Sequence, residues 1–268
     1  MKAAKSPKSY SVPAIQRTLD IIEAMASDSR GLTITEANRL FRIPKSSVYA
    51  ILQTLTARGY LEKDEDERYS LTLKIFSLGS ALVDSLDLRK RLYPHLRELT
   101  EKAGITGHIA VFDSGYAVYI EKAEVLGALR LTTWVGKRMP VHSTSIGKAL
   151  IAHLPDEEVD RIIAARGLSR LTDKTITVAR KLKTELARVR QTGYAVSNEE
   201  NEEGVRAVAS PIFDHDGKVV AAVNLGGPAV QMRVEDLPAI GKLVRAAAAG
   251  MSRTLGHRAG GATRRSTA

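Results

Sequence analysis

Between Asn38 and Gly59 the chain carries no aspartate or glutamate, although Arg39, Arg42, Lys45 and Arg58 all fall in that stretch. Within it, Val48, Ile51, Leu52 and Leu55 recur at the i, i+3, i+4, i+7 spacing of one buried helix face. Gly59 follows where a helix C-terminus prefers glycine. The spacing predicts a helix beginning at Lys45 or Ser46. Exposed helices ordinarily mix both signs of charge. A face stripped of acids suits a helix that must lie among phosphates, where a carboxylate would be repelled.

The neighbouring segments predict a small domain around that helix. Ile15, Leu19, Ile22 and Met25 recur at helical spacing, so a first helix runs from about Pro13 to Ala26. A second spans about Thr35 to Phe41, and Arg42-Ile43-Pro44 makes a tight connection to the third. "YLEKDEDERYSL" then reads as a hairpin with a charged tip, Asp64 to Glu67. Three helices and a hairpin outline a winged helix-turn-helix. Periodicity alone fits a small helical bundle equally well, and the missing acids favour the first reading.

Opposite the apolar stripe lie Lys45, Ser46, Tyr49, Ala50 and Gln53, with Ser47 at the edge. Ser and Lys bind phosphate oxygens, Gln pairs with an adenine edge, Ala admits a thymine methyl, and Tyr does either. Arg39 and Arg42 are placed for phosphates. The bland alternative is that Ser46 or Ser47 caps the helix and the basic residues are simply solvated. The acidic tip argues against deep insertion of the wing, which is expected to rely on Arg68 or Lys63.

Composition bounds the rest. With 268 residues the chain is long enough for roughly two domains. Forty Lys and Arg against 30 acids give a formal net charge of +10, which favours an anionic partner such as nucleic acid. The absence of cysteine excludes disulfides and Cys-ligated metals and suits a reducing compartment. No signal-peptide core or membrane-length apolar run is present, so a cytoplasmic location and no membrane partner are expected. The expected organisation is a disordered tail over 1–10, the winged helix-turn-helix over 11–72, a linking helix over 73–87, a larger domain over 88–255, and a disordered tail over 256–268. Strands are predicted at Thr106–Phe112, Ala117–Ile120, Leu129–Trp134, Tyr194–Val196, Val205–Phe213 and Val219–Leu225, with helices at Ser145–His153, Asp156–Arg166, Val178–Thr192 and about Val234–Leu255. This is an α+β domain with a mostly antiparallel sheet.

"SVPAIQRTLDIIEAMA", "LTITEANRLFRIPKSSVYAILQTLTARGYLE" and "RYSLTLKIFSLGSA" resemble the N-terminal domain of IclR-type transcriptional regulators. "VGKRMPVHSTSIGKALIAHLP", "RQTGYAVSNEENEEGVRAVASPIFD" and "VVAAVNLGGP" resemble that family's C-terminal effector-binding domain, in the right order from Ser11 to Ser252. The resemblance implies a second domain related to the small-molecule-sensing GAF fold, a homodimer or tetramer, and near-palindromic operator DNA. It implies effector contacts at Ser145, Ile146, Ser197, Ala207, Asn224 and Gly226. Relatives that bind small keto-acids carry a carboxylate, a thiol and two serines where Ser197, Ala207, Asn224 and Gly226 stand, so that ligand class is not carried over. Trp134 and Met139 flank the region and motivate an aromatic or bulkier organic acid. Packing is the competing role for Trp134, as a turn hydrogen bond is for His142.

Catalytic readings of "STSIGKA" fail on spacing. Ser143 occupies the first glycine position of a nucleophile elbow, and His142 and Ala149 stand where a phosphate loop needs Gly and Ser/Thr. No cofactor, metal or enzymatic activity is expected. The alternative kept open is a small-molecule hydrolase whose basic face is incidental.

Overall fold

The computed structural model describes residues 12–27, 30–78, 88–125 and 132–258. The expected terminal tails and most of the linking helix therefore lie outside the described residues, save 73–78, which are helical, and 256–258. The chain divides into two units, 1–85 and 86–268.

The first unit runs α1 (Pro13–Ser27), α2 (Ile34–Phe41), α3 (Lys45–Ala57), β1 (Leu61–Lys63) and β2 (Tyr69–Leu71). Thr33 starts α2 with a reciprocal capping box to Glu36. Arg42 ends α2 in the left-handed region (φ 53), and the Asn38 amide donates to the Ile43 carbonyl at 2.6 Å, fixing the turn into α3. Val48, Leu52 and Leu55 pack with Ile21, Met25, Ala37 and Tyr69 in one core. The apolar stripe predicted for α1 splits: Met25 faces that core and Ile22 packs against it, with Ile21 from outside the stripe, whereas Ile15 and Leu19 are 57% and 51% exposed. β1 and β2 pair antiparallel, and Leu32 bridges Tyr69. Gly31 makes that bridge possible, because its φ is +71 and a Cβ there would sit 2.4 Å from the Tyr69 carbonyl oxygen.

The second unit runs α4 (Leu88–Ala103), β3 (Gly107–Asp113), β4 (Tyr116–Ala123), β5 (Arg138–Pro140), α5 (Ser145–Ile151), α6 (Asp156–Arg166), α7 (Ala179–Thr192), β6 (Ala195–Asn198), β7 (Val205–Phe213), β8 (Val219–Pro228) and α8 (Leu237–Thr254). The strands form one antiparallel sheet in the order β5-β4-β3-β8-β7-β6. The strand predicted at Leu129–Trp134 is corrected. Residues 126–131 are outside the described set, 132–134 form no strand, and the edge strand is β5, set by a turn in which the Lys137 amide donates to Trp134.

Alternation along the strands builds two different cores. Ile109, Val208, Ile212, Val223 and Leu225 face α4 and α8. Ala110, Ala117, Ala195, Ala209 and Ala222 face the other way, under α5 and α7. Small residues let α5 lie close to the sheet. Gly147 continues the close fit, since a Cβ there would lie 2.4 Å from Val141 Cα. Lys148 on α5 is fully buried, donating to the Val196 carbonyl at 2.5 Å, to Glu200 at 2.8 Å and to Glu185 at 3.2 Å.

Candidate functional site

Two sites follow from this framework, one in each unit. In the first, α3 buries Val48, Leu52 and Leu55 and leaves Lys45, Ser46, Tyr49 and Ala50 exposed, while Ser47 and Gln53 are half-buried at the edges. Pro44 occupies the N-cap and no side chain caps the helix, so Ser46 and Ser47 are not spent on capping. Arg39 and Arg42 are exposed and border one concavity with Arg68, Thr33 and Thr35.

Two residues sit differently from the sequence expectation. The Gln53 amide donates to the Tyr69 hydroxyl at 3.2 Å, tying α3 to β2. It keeps one amide hydrogen and its carbonyl for another partner. Arg68, expected to serve the wing, donates to the Arg30 and Gly31 carbonyls at 3.0 Å each and pairs with Glu36 at 3.0 Å. It is a fastener between wing and α2, because its carbonyl and carboxylate partners lie at the wing's base. Glu36 is held below the usual carboxylate range, first by the Thr33 backbone N–H and then by Arg68. At the tip, Lys63 contacts Glu67.

In the second unit, a pocket opens on the α5 face of the sheet. Strand register sets its floor: His108 lies opposite Asn224, and Ser197 opposite Ala207, which in turn lies opposite Gly226. Tyr119, Met139 and the start of α5 close it. Of the residues expected, Met139, Ser145, Ser197, Ala207, Asn224 and Gly226 line this pocket, whereas Trp134 and Ile146 do not. Ile146 is fully buried in the α5 core, because one residue along a helix turns the side chain by ~100°. Trp134 is 49% exposed, with the Lys137 ammonium 4.8 Å from its ring centroid, so it is neither core nor wall.

The sequence reading missed the pocket's main polar furniture. His108 stacks on Tyr119 with centroids 4.4 Å apart and an interplanar angle of 18°, giving a flat wall. Its ring bonds Asn224 Oδ1 at 3.1 Å and Thr133 Oγ1 at 2.8 Å. Burial pushes its pKa down to about 4, against the opposing pull of Asn224, so the imidazole is neutral at physiological pH. Burial likewise pushes Tyr119 up to about 12. A buried histidine opposite an asparagine across two strands has no local signal in the chain. Arg206, also at the pocket, is engaged by Asn198, Glu199 and the Ala229 and Met232 carbonyls. Lys137 donates to the Thr132 carbonyl at 2.8 Å.

One atom stands out. Ser145 Oγ is buried in the pocket and, among the described residues, is the one buried side-chain polar atom without a hydrogen-bond partner. Native interiors rarely leave a hydroxyl unmatched. Among the described residues no histidine or carboxylate is hydrogen-bonded to that hydroxyl. The Ser145→Ala variant is accordingly expected to leave the unliganded protein as stable as before, or more so by up to ~1 kcal/mol. Thermal melting of the free protein checks this, and a loss of stability would show a bond to Ser145 that the structure lacks.

The second unit's other ligand-rich cluster, Asp214-His215-Asp216, lies on an exposed turn. Asp214 Oδ1 accepts the N–H groups of Asp216 and Lys218 at 3.0 and 2.9 Å, which shapes the turn. Among the described residues no helix is long and apolar enough to cross a membrane.

Comparison with known proteins gives a consistent answer. The family "IclR helix-turn-helix domain" matches residues 14–65, and "Bacterial transcriptional regulator IclR C-terminal" matches residues 80–253. The chain is 35% identical over 248 residues to the transcriptional regulator KdgR of Escherichia coli, covering 92% of this chain and 94% of that one. It is similar to the crystal structure of the Thermotoga maritima IclR, with a TM-score of 0.75, 29% identity, and coverage of 91% of this chain and 99% of that one. An IclR homologue from Microbacterium hydrocarbonoxydans, complexed with 4-hydroxybenzoate, has a TM-score of 0.78 at 24% identity, covering 90% and 98%, and shares the fold.

Proposed function

The chain belongs to the IclR family of bacterial transcriptional regulators and is a DNA-binding regulator of transcription; from that premise we propose that α3 is its recognition helix and that the α5 pocket holds the effector. The exposed Lys45-Ser46-Tyr49-Ala50 face enters the major groove, Ser47 and Gln53 read from its edges, and Arg39 and Arg42 take phosphates. The observation that carries this reading is that the acid-free face is exposed while the apolar stripe is buried. Lys45→Ala should weaken all DNA nearly uniformly and lower the log–log salt slope by about 0.9, the value for one phosphate contact. Gln53→Ala should instead change preference at one base position, in addition to freeing the Tyr69 hydroxyl. Filter binding on an operator and scrambled DNA across a salt series separates the two, and identical effects from both substitutions would reject the assignment.

The effector is a small organic acid with a flat body. The pocket is a small cavity of about 60 Å³ that opens to solvent, suited to one compact molecule. The His108–Tyr119 pair supplies a planar wall, Ser145 Oγ a free donor, and Lys137 a cation at the rim. Trp134 no longer supports a bulky ligand, whereas the stacked pair supports an aromatic one. Calorimetry across aromatic and aliphatic acids tests this; binding confined to the smallest keto-acids would end the aromatic reading. Effector and operator then modulate each other by one coupling factor, and an effector affinity unchanged by operator would refute the coupling.

A homodimer completes the DNA reader. Ile15 and Leu19 on α1, and Leu73 and Phe76 (80% and 66% exposed) in the helical stretch 73–78, leave apolar surface open in the first unit. A second copy covers it, doubling the operator footprint. The Ile15→Asp/Leu19→Asp variant should run as a smaller species in analytical ultracentrifugation and bind a half-site no worse than a full operator. An unchanged mass would exclude α1 from the interface. The relatives are transcriptional regulators, which favours regulation over the hydrolase alternative.

A further inference from the structure

The second unit carries another cleft, of about 270 Å³, that shares no lining residue with the α5 pocket. Arg190 near the end of α7, Arg245 and Arg253 on α8, His153 after α5 and His257 after α8 converge on it, and no aspartate or glutamate lines it. Several other arginines of this unit are matched to carboxylates, Arg89 to Glu121, Arg138 to Asp113, Arg188 to Glu185, Arg206 to Glu199 and Arg233 to Asp236, whereas Arg91 and Arg166 donate to backbone carbonyls. None of the three in the cleft has a carboxylate partner among the described residues.

The cleft is built from several separate elements. Arg190 is fixed by one bond to the Ala152 carbonyl at 2.6 Å, and Arg245 by one to the Thr192 carbonyl at 3.0 Å. Each guanidinium has five N–H donors, so most remain free. Gly193 lets the Arg245 stem pass close, since a Cβ there would lie 2.7 Å from Arg245 Cδ. Ser210, Pro211 and Ser252 are buried at the floor. The Phe213 ring, with His153 edge-on at 5.1 Å and His257 stacked at 5.3 Å, makes a flat side wall. Burial first, and then the Arg190 charge, lower the His153 pKa from its ordinary value.

We propose that this cleft is a second ligand site, for a small organic anion with at least two negative charges, a phosphate ester or a polycarboxylate. Planar guanidinium forks match both groups bidentately, and the flat ring wall suits the remainder of such a molecule. A site distinct from the effector pocket would let the regulator sense two metabolites.

Calorimetry on the full chain tests this with inorganic pyrophosphate, citrate and, as a monoanion, acetate. Pyrophosphate or citrate is expected to bind saturably at one site per chain, and acetate not to bind there. Arg190→Gln and Arg253→Gln should each weaken the bound anion about 10-fold or more, the loss of a charge-assisted hydrogen bond. Ser145→Ala in the other pocket and Arg161→Gln outside the cleft should leave it unchanged. Tighter pyrophosphate assigns a phosphate ester, and tighter citrate a polycarboxylate. The proposal falls if neither anion saturates, if Arg161→Gln weakens binding as much as the cleft variants, or if Ser145→Ala abolishes it.

Discussion

Replacing Lys148 with alanine is expected to destabilise the second unit by about 3–5 kcal/mol, the cost of removing one member of a buried ion pair. At ~2–4 °C per kcal/mol for a domain of this size, the melting temperature should fall by about 6–20 °C. Lys148 is fully buried and its ammonium holds Glu200, Glu185 and the Val196 carbonyl together. Burial drives Glu200 above the usual carboxylate range even with Lys148 beside it. For Glu185, burial also acts upward, but Arg188 and Lys148 outweigh it and hold it low. Without the ammonium, Glu200 loses its counter-charge, Glu185 is left with Arg188 alone, and α5 loses its bond to the Val196 carbonyl of β6. The single tryptophan, Trp134, lies in this unit, so its fluorescence follows that unit's unfolding. The double variant Lys148→Met/Glu200→Gln should recover part of the loss, because it removes the charge left behind. A melting point unmoved by Lys148→Ala would show that water solvates this site.

The second large effect is on DNA. Ala50→Glu is expected to lower operator affinity at least ~100-fold, since a like charge set against the phosphates costs several kcal/mol. Ala50 is exposed, and glutamate is a good helix former, so α3 should persist. Circular dichroism and effector binding should match the parent protein, while DNA binding is lost. Retained affinity would mean that this face looks away from the duplex.

The degree to which the chain disclosed its own structure differs between the two sites, for physical reasons. The buried stripe of α3 was legible because four apolar residues repeat at one helical period and the opposite face lacks acids. Periodicity misled at the start of α1: of the stripe Ile15, Leu19, Ile22 and Met25, the last two reach the core, joined by Ile21 from outside it, while Ile15 and Leu19 stay exposed. A helix with two apolar faces does not declare which one its own domain will use. Arg68 looked like a wing contact because only its neighbours in sequence were visible; its partners at Arg30, Gly31 and Glu36 come from far along the chain. Ser197, Ala207, Asn224 and Gly226 on strands and Ser145 at the start of α5 line the pocket, positions that the family resemblance implied and that no periodicity in the chain marks. Ile146 failed by one residue on a helix, and Trp134 failed because a turn at Lys137 replaced the strand expected there. His108 and Ser145 acquire their interest only through burial and through partners gained or missing, which no spacing encodes.

The account rests on the outward face of α3 lying in the major groove, and the absence of cysteine makes a direct test available. A single cysteine introduced as Ala50→Cys can carry a tethered DNA-cleaving reagent, with Lys181→Cys on the second unit as the comparison. Cleavage is predicted at two symmetric clusters within the operator half-sites from position 50, and at none of those bases from position 181. Diffuse cutting from position 50, or cutting indistinguishable between the two positions, would contradict the assignment of α3 as the helix that reads DNA.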